Sequence, residues 1–117
     1  MPLLYVRQGA MKTITAIKTQ KRRRDRVSIF LDGEYAISLR SSVAEEARLA
    51  SGQQLSLSQV EQLAQADVDR ACLDAAWRYL SYRPRSEAKL RLRLRRRGFE
   101  ANIIDRAVLK LKEQGLV

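Results

Sequence analysis

The seventeen residues from Arg83 to Phe99, RPRSEAKLRLRLRRRGF, constrain the chain more than any other stretch. They hold eight basic side chains and one carboxylate between two stop signals, Pro84 and Gly98. Leu90, Leu92 and Leu94 alternate with arginine, which is strand spacing. Three features favour a helix over 86–97 instead: Ser86 as a start, strong helix formers throughout, and Gly98 as a C′ stop. At 100° per residue Leu90 and Leu94 share a face, while Leu92 falls almost opposite and stands among arginines. Lys89, Arg93 and Arg96 then form one basic stripe, and Arg91 with Arg95 a second. That charge exceeds what a solvated helix face needs, and it points to an acidic partner, either nucleic acid or a protein that handles it.

The neighbouring segments extend the helical reading. Asp67 can cap a helix to about Ser81, which Pro84 ends because the residue before proline avoids the α region. Leu73, Ala76, Trp77 and Leu80 share one face of it, with Arg70, Asp74 and Arg78 opposite. Trp77 in that stripe reads as a core anchor rather than a base-stacking platform. A last helix over about 101–114 presents Ala101, Ile104, Ala107, Val108 and Leu111, with Leu109 facing away and Gly115 as its stop. Residues 67–117 thus read as three consecutive helices. The chain closes on Leu116-Val117 without a polar cap, so the expectation is a fragment of a longer array or an end that packs on another chain.

The N-terminal part reads as β. Residues 1–12 are expected to be a flexible leader, with Met11 an alternative start. A strand over 13–19 alternates weakly through Ile14 and Ile17. Asp32-Gly33 lies between Arg26–Leu31 and Glu34–Leu39, a strong hairpin signal because a type I′ turn needs positive φ at both central residues. The implied register pairs Leu31 with Glu34, Phe30 with Tyr35 and Ser28 with Ile37. It puts Phe30, Tyr35, Ile37 and Leu39 on the buried face, and Val27, Ile29 and Ala36 on the other. The expectation is a three-stranded antiparallel segment over 13–40. Short connecting helices follow over 41–66, one capped by Ser41 or Ser42 and one by a Ser58/Glu61 capping box. The fold class is α+β.

Charge is uneven along the chain. Residues 1–40 carry nine basic and three acidic side chains, residues 41–77 two and six, and residues 78–117 twelve and four. Two basic ends around an acidic middle favour a polyanion partner. Lys21, Arg22, Arg23, Arg24 and Arg26 mark the tip of the first β connection. They are either a solvated turn or a second contact with phosphate or acidic protein. The single cysteine, Cys72, excludes an internal disulfide and fits a reducing cytoplasm. Its Ala-rich setting suits a small core group. No apolar run approaches the length of a membrane span.

The chain has no histidine, no cysteine pair, no P-loop and no dinucleotide fingerprint, so catalysis, a metal and a cofactor are not expected. Asp67, Asp69 and Asp74 do not share a helix face in ligand geometry. A sequence-specific helix-turn-helix fits the outline around Gly98-Phe99-Glu100. However, Glu100 and Asp105 would then meet phosphate at the groove-entering end. Exposed Leu92, Leu109, Leu116 and Val117 leave self-association open.

The order Arg83-Pro84-Arg85-Ser86-Glu87, Leu90, Leu94, Gly98-Phe99, the stripe from Ile104 to Leu111 and Gly115 resembles the first repeat of the RecX family, small bacterial regulators of the RecA recombinase. Asp32-Gly33-Glu34-Tyr35 after an apolar run, and Ala71 through Leu80 before the Arg-Pro-Arg-Ser motif, are similar to many members as well. The resemblance covers about 13–117. It implies a row of three-helix repeats, of which this chain holds the first. It also implies a non-enzymatic regulator that binds the RecA–DNA filament and limits its growth, ATP hydrolysis and strand exchange, in DNA repair and the SOS response. The alternative is a helical module that binds DNA without sequence preference. The contact set assigned from charge and helix geometry is Arg83, Arg85, Lys89, Arg91, Arg93, Arg95, Arg96 and Arg97.

Overall fold

The computed structural model describes residues 10–117; most of the expected leader lies outside them. The elements run β1 (Met11–Thr19), β2 (Arg26–Leu31), β3 (Glu34–Arg40), α1 (Ser41–Glu46), β4 (Gln54–Ser56), α2 (Leu57–Leu80), α3 (Glu87–Arg96) and α4 (Ala101–Glu113). Two compact units divide the chain, one through Asp67 and one from Val68, with the boundary inside α2.

In the first unit the sheet has four antiparallel strands rather than three, in the order β3-β2-β1-β4. The three-residue β4, too short to show a period, pairs Leu55 with Lys12. Met11 and Lys12 therefore belong to β1, not to a leader. Asp32 and Gly33 take φ of 49° and 83°, the double positive φ of the expected hairpin turn. Leu31 faces Glu34 and Phe30 faces Tyr35, but the register then shifts, so that Ile29 meets Ile37 and Ser28 meets Ser38. The shift admits Ala36 as an extra residue, and a bulge turns the following side chains to the other face. The expected faces are corrected accordingly. Val27, Ile29, Leu31 and Leu39 are buried, Ile37 packs on them, and Tyr35 is 55% exposed with Phe30 edge-on at 6.1 Å. A second shift, between Ile14 and Ala16, explains the weak alternation of β1: Ile14 and Ile17, an odd number apart, both reach the core.

The helices after the sheet also depart from expectation. α1 has no side-chain cap, and the Ser41 hydroxyl donates to the Arg24 carbonyl instead. No break separates two helices between 57 and 80, because no Gly or Pro interrupts that stretch. The capping box is Ser56/Gln59, two residues before the expected one. Gln59 N–H donates to Ser56 Oγ at 3.2 Å, and Ser56 N–H donates to Gln59 Oε1 at 2.7 Å. Asp67 is then interior to α2 and serves the sheet. Its Oδ1 accepts the Arg40 backbone N–H at 2.7 Å, and its Oδ2 accepts Arg26 Nη2 at 3.4 Å.

The second unit packs the later part of α2 with α3 and α4. Leu90, Leu94 and Leu111 are fully buried, with Cys72, Ala76, Ile104 and Val108 around them. Ile103 is buried where Ala101 was expected, and Ala101 is exposed. Ser86 Oγ accepts the Lys89 N–H at 3.2 Å as the N-cap of α3. At its other end Gly98 has φ 94°, Gly98 N–H donates to the Arg95 carbonyl and Phe99 N–H to that of Leu94. That is the Schellman pattern, and Gly115 repeats it after α4.

Candidate polyanion interface

The basic residues on and around α3 fall into three groups by what they touch, with Arg97 shared between the last two. Arg91 is committed to architecture. Its Nε donates to Glu87 Oε2 at 3.0 Å, one turn earlier, and its Nη1 to Asp105 Oδ1 at 2.6 Å on α4. Lys112 reaches the other oxygen of Glu87 at 3.1 Å. The Arg91 hydrogen bond first, and the Lys112 one second, hold the Glu87 carboxyl below its usual value. The hydrogen bonds it donates to Asp105 and then to Glu87 raise the Arg91 guanidinium further above its already high value.

A second group surrounds Tyr79 on α2. Arg85 lies over its ring at 4.3 Å and donates Nη1–H to its hydroxyl at 3.0 Å. Arg93 lies over the same ring at 5.4 Å. Stacking encloses Arg85 Nε, which meets no acceptor among the described residues. Arg78, Arg97 and Tyr82 complete the lining of a cleft of about 290 Å³ here. Arg78, Tyr79 and Tyr82 were absent from the expected contact set. The preceding helix brings them to Arg85 and Arg93, and the signal that could have found them is aromatic and basic residues within a few positions of Pro84.

The third group is open. Arg83, Lys89, Arg95, Arg96 and Arg97 are exposed, and among the described residues their side chains meet no carboxylate, hydroxyl or ring. Leu92, 40% exposed, stands among them. In the first unit, Lys21, Arg22, Arg23 and Arg24 lie exposed in the connection from β1 to β2. Arg26 does not join them. It begins β2, and its guanidinium is tied to the Ser38 hydroxyl and carbonyl, each at 3.1 Å, and to Asp67.

Asp69 and Asp74 have structural partners. Asp69 holds Arg106 through Nε and Nη2, and Asp74 accepts from Arg70 at 3.1 Å. Arg70 also covers the half-buried Trp77 ring at 5.5 Å. Burial, then the nearby Asp69 charge, pushes the Cys72 thiol up to about 11, so it stays protonated at neutral pH and is a poor nucleophile. Leu109 and Leu116 are exposed as expected, but Val117 packs against the second core. Among the described residues, no helix is long and apolar enough to cross a membrane.

The fold and this surface define an α+β protein whose three-helix module carries an array of guanidinium donors. Two family models match it: "RecX, first three-helix domain" over residues 72–111 and "Regulatory protein RecX N-terminal domain" over 12–56. The chain belongs to the RecX family of regulatory proteins. It is similar to Regulatory protein RecX of Lactobacillus johnsonii, at 39% identity over 88% of this chain and 38% of that one. The protein of the same name from Listeria monocytogenes serotype 4b is 35% identical over 89% and 39%. A solved structure, "Crystal structure of regulatory protein RecX", superposes with a TM-score of 0.75 at 31% identity, covering 91% of this chain and 52% of that one. The chain spans about two fifths of the length of these curated relatives.

Proposed function

We propose that this chain is a non-enzymatic regulator that binds the RecA–DNA filament in the cytoplasm and restrains RecA assembly and ATP hydrolysis during DNA repair. The observation that carries the reading, beside family membership, is the open group on and around α3: Arg83, Lys89, Arg95, Arg96 and Arg97 have no partner among the described residues. A nucleoprotein filament offers phosphates and carboxylates, and a guanidinium pairs with either through two parallel hydrogen bonds. Leu90, Leu94 and the two caps fix the backbone of α3, so the attachment points of its charges are set before a partner arrives and the ordering cost of binding falls on the exposed side chains alone. Arg91 is left out of the contact set because Glu87 and Asp105 already neutralise it.

The test is co-sedimentation of the chain with RecA filaments assembled on single-stranded DNA, with RecA ATP hydrolysis followed in parallel. The expected result is pelleting with filaments and slower hydrolysis, both weakened when Arg95 and Arg96 are reversed to Glu. Unchanged binding by that variant in low salt would sink the reading.

A further inference from the structure

The cleft beside Tyr79 differs in kind from the outer face of α3. Arg78, Arg85, Arg93 and Arg97 converge on it, and among the described residues none of them meets a carboxylate. Like charges crowded into one cleft repel, and stacking on Tyr79 holds two of them there without neutralising them. Tyr82, 78% exposed, lies at the same cleft with its ring open to solvent.

We infer that this cleft binds the phosphate backbone of a single-stranded nucleic acid, with one unpaired base stacked on Tyr82. Apart from Ala75 and the two phenols, every side chain lining the cleft is a hydrogen-bond donor with no acceptor to offer. A phosphodiester backbone presents acceptors, which guanidiniums take in pairs. An acidic peptide would also bring backbone N–H groups, and the cleft has little to accept them. A base in a duplex is already stacked and paired, so an open tyrosine ring favours a single strand. The inference rests on reading the second unit as a polyanion-binding module, and it names the strand chemistry of one part of that surface.

The experiment is fluorescence anisotropy of a labelled oligothymidylate titrated with the full chain at low salt, beside a duplex of equal length. Tyr82→Ala is expected to weaken single-strand binding about tenfold, with Tyr82→Phe near wild type and duplex binding unchanged. Arg93→Glu is expected to weaken both and to flatten the salt dependence. Tyr82 is exposed, so its variants retain the fold, which circular dichroism checks. The inference is overturned by no oligothymidylate binding in the wild type, or by equal losses on strand and duplex for Tyr82→Ala. Displacement of the oligonucleotide by polyglutamate of matched charge overturns it in favour of an acidic protein segment. Filament co-sedimentation separates the two proposals: a chain that pellets with RecA filaments but ignores oligothymidylate refutes only this one.

Discussion

Asp67 gives the sharpest test of how the first unit is held together. Its carboxylate accepts the Arg40 backbone N–H at 2.7 Å and Arg26 Nη2 at 3.4 Å, and the Asp67 and Arg26 side chains are each only 16% exposed. Asp67→Ala strands a backbone donor and leaves a largely buried guanidinium with only Ser38 for company. An unmet buried donor costs about 1–3 kcal/mol. Removing one partner of a fully buried ion pair costs about 3–5 kcal/mol, and partial exposure and the Ser38 contacts reduce that here. The expected loss for Asp67→Ala is therefore about 2–4 kcal/mol, whereas Asp67→Asn keeps an acceptor for Arg40 and loses about 1–2 kcal/mol. Urea denaturation followed by far-UV circular dichroism measures both. Amide exchange at Arg40 supplies the local readout, with protection lost in the Ala variant and kept in the Asn variant. Equal losses for the two substitutions, or a cost for Ala below about 0.5 kcal/mol, would refute the reasoning.

Leu94→Ala should cost about 2–5 kcal/mol, because it empties a fully buried site between α3 and its neighbours; thermal denaturation measures it. Gly98→Ala meets no steric obstacle, yet φ of 94° makes it costly by about 1–2 kcal/mol, and a stability unchanged in urea would contradict that. Glu87 has a folded-state pKa depressed below its ordinary 4.5, so its contribution is present above that value and disappears as pH falls through the folded one. Glu87→Gln should thus lower the melting temperature at pH 7 and make progressively less difference in acid, a trend that paired melting curves from pH 7 to 2 would display.

The sequence alone marked most helix ends and one hairpin, because those signals act over a few residues. Ser86 and Gly98 bound α3 as read, and Asp32-Gly33 makes the turn it promised. The burial of Leu90 and Leu94 and the exposure of Leu92 follow from helical period alone. Where two signals competed over longer range, local reading failed. Ser58 and Asp67 resemble caps, but Ser56 and Gln59 close the box first and an uninterrupted helical stretch carries α2 past both. A bulge leaves no mark in a pattern of alternating apolar residues, so the buried face of the hairpin was misassigned.

Charge is the property that the sequence determined outright: the basic run from Arg83 to Arg97 and the absence of histidine are facts of composition. The roles of those charges were decided only by the tertiary structure. Arg91 and Arg93 are two residues apart on one helix. One is neutralised by Glu87 and Asp105, and the other rests on Tyr79 and, among the described residues, meets no carboxylate. A charge's effect depends on what lies within a few ångströms; Glu87 is a same-helix neighbour that spacing places, but Asp105 comes from α4 and Tyr79 from α2, which chain order does not bring to α3.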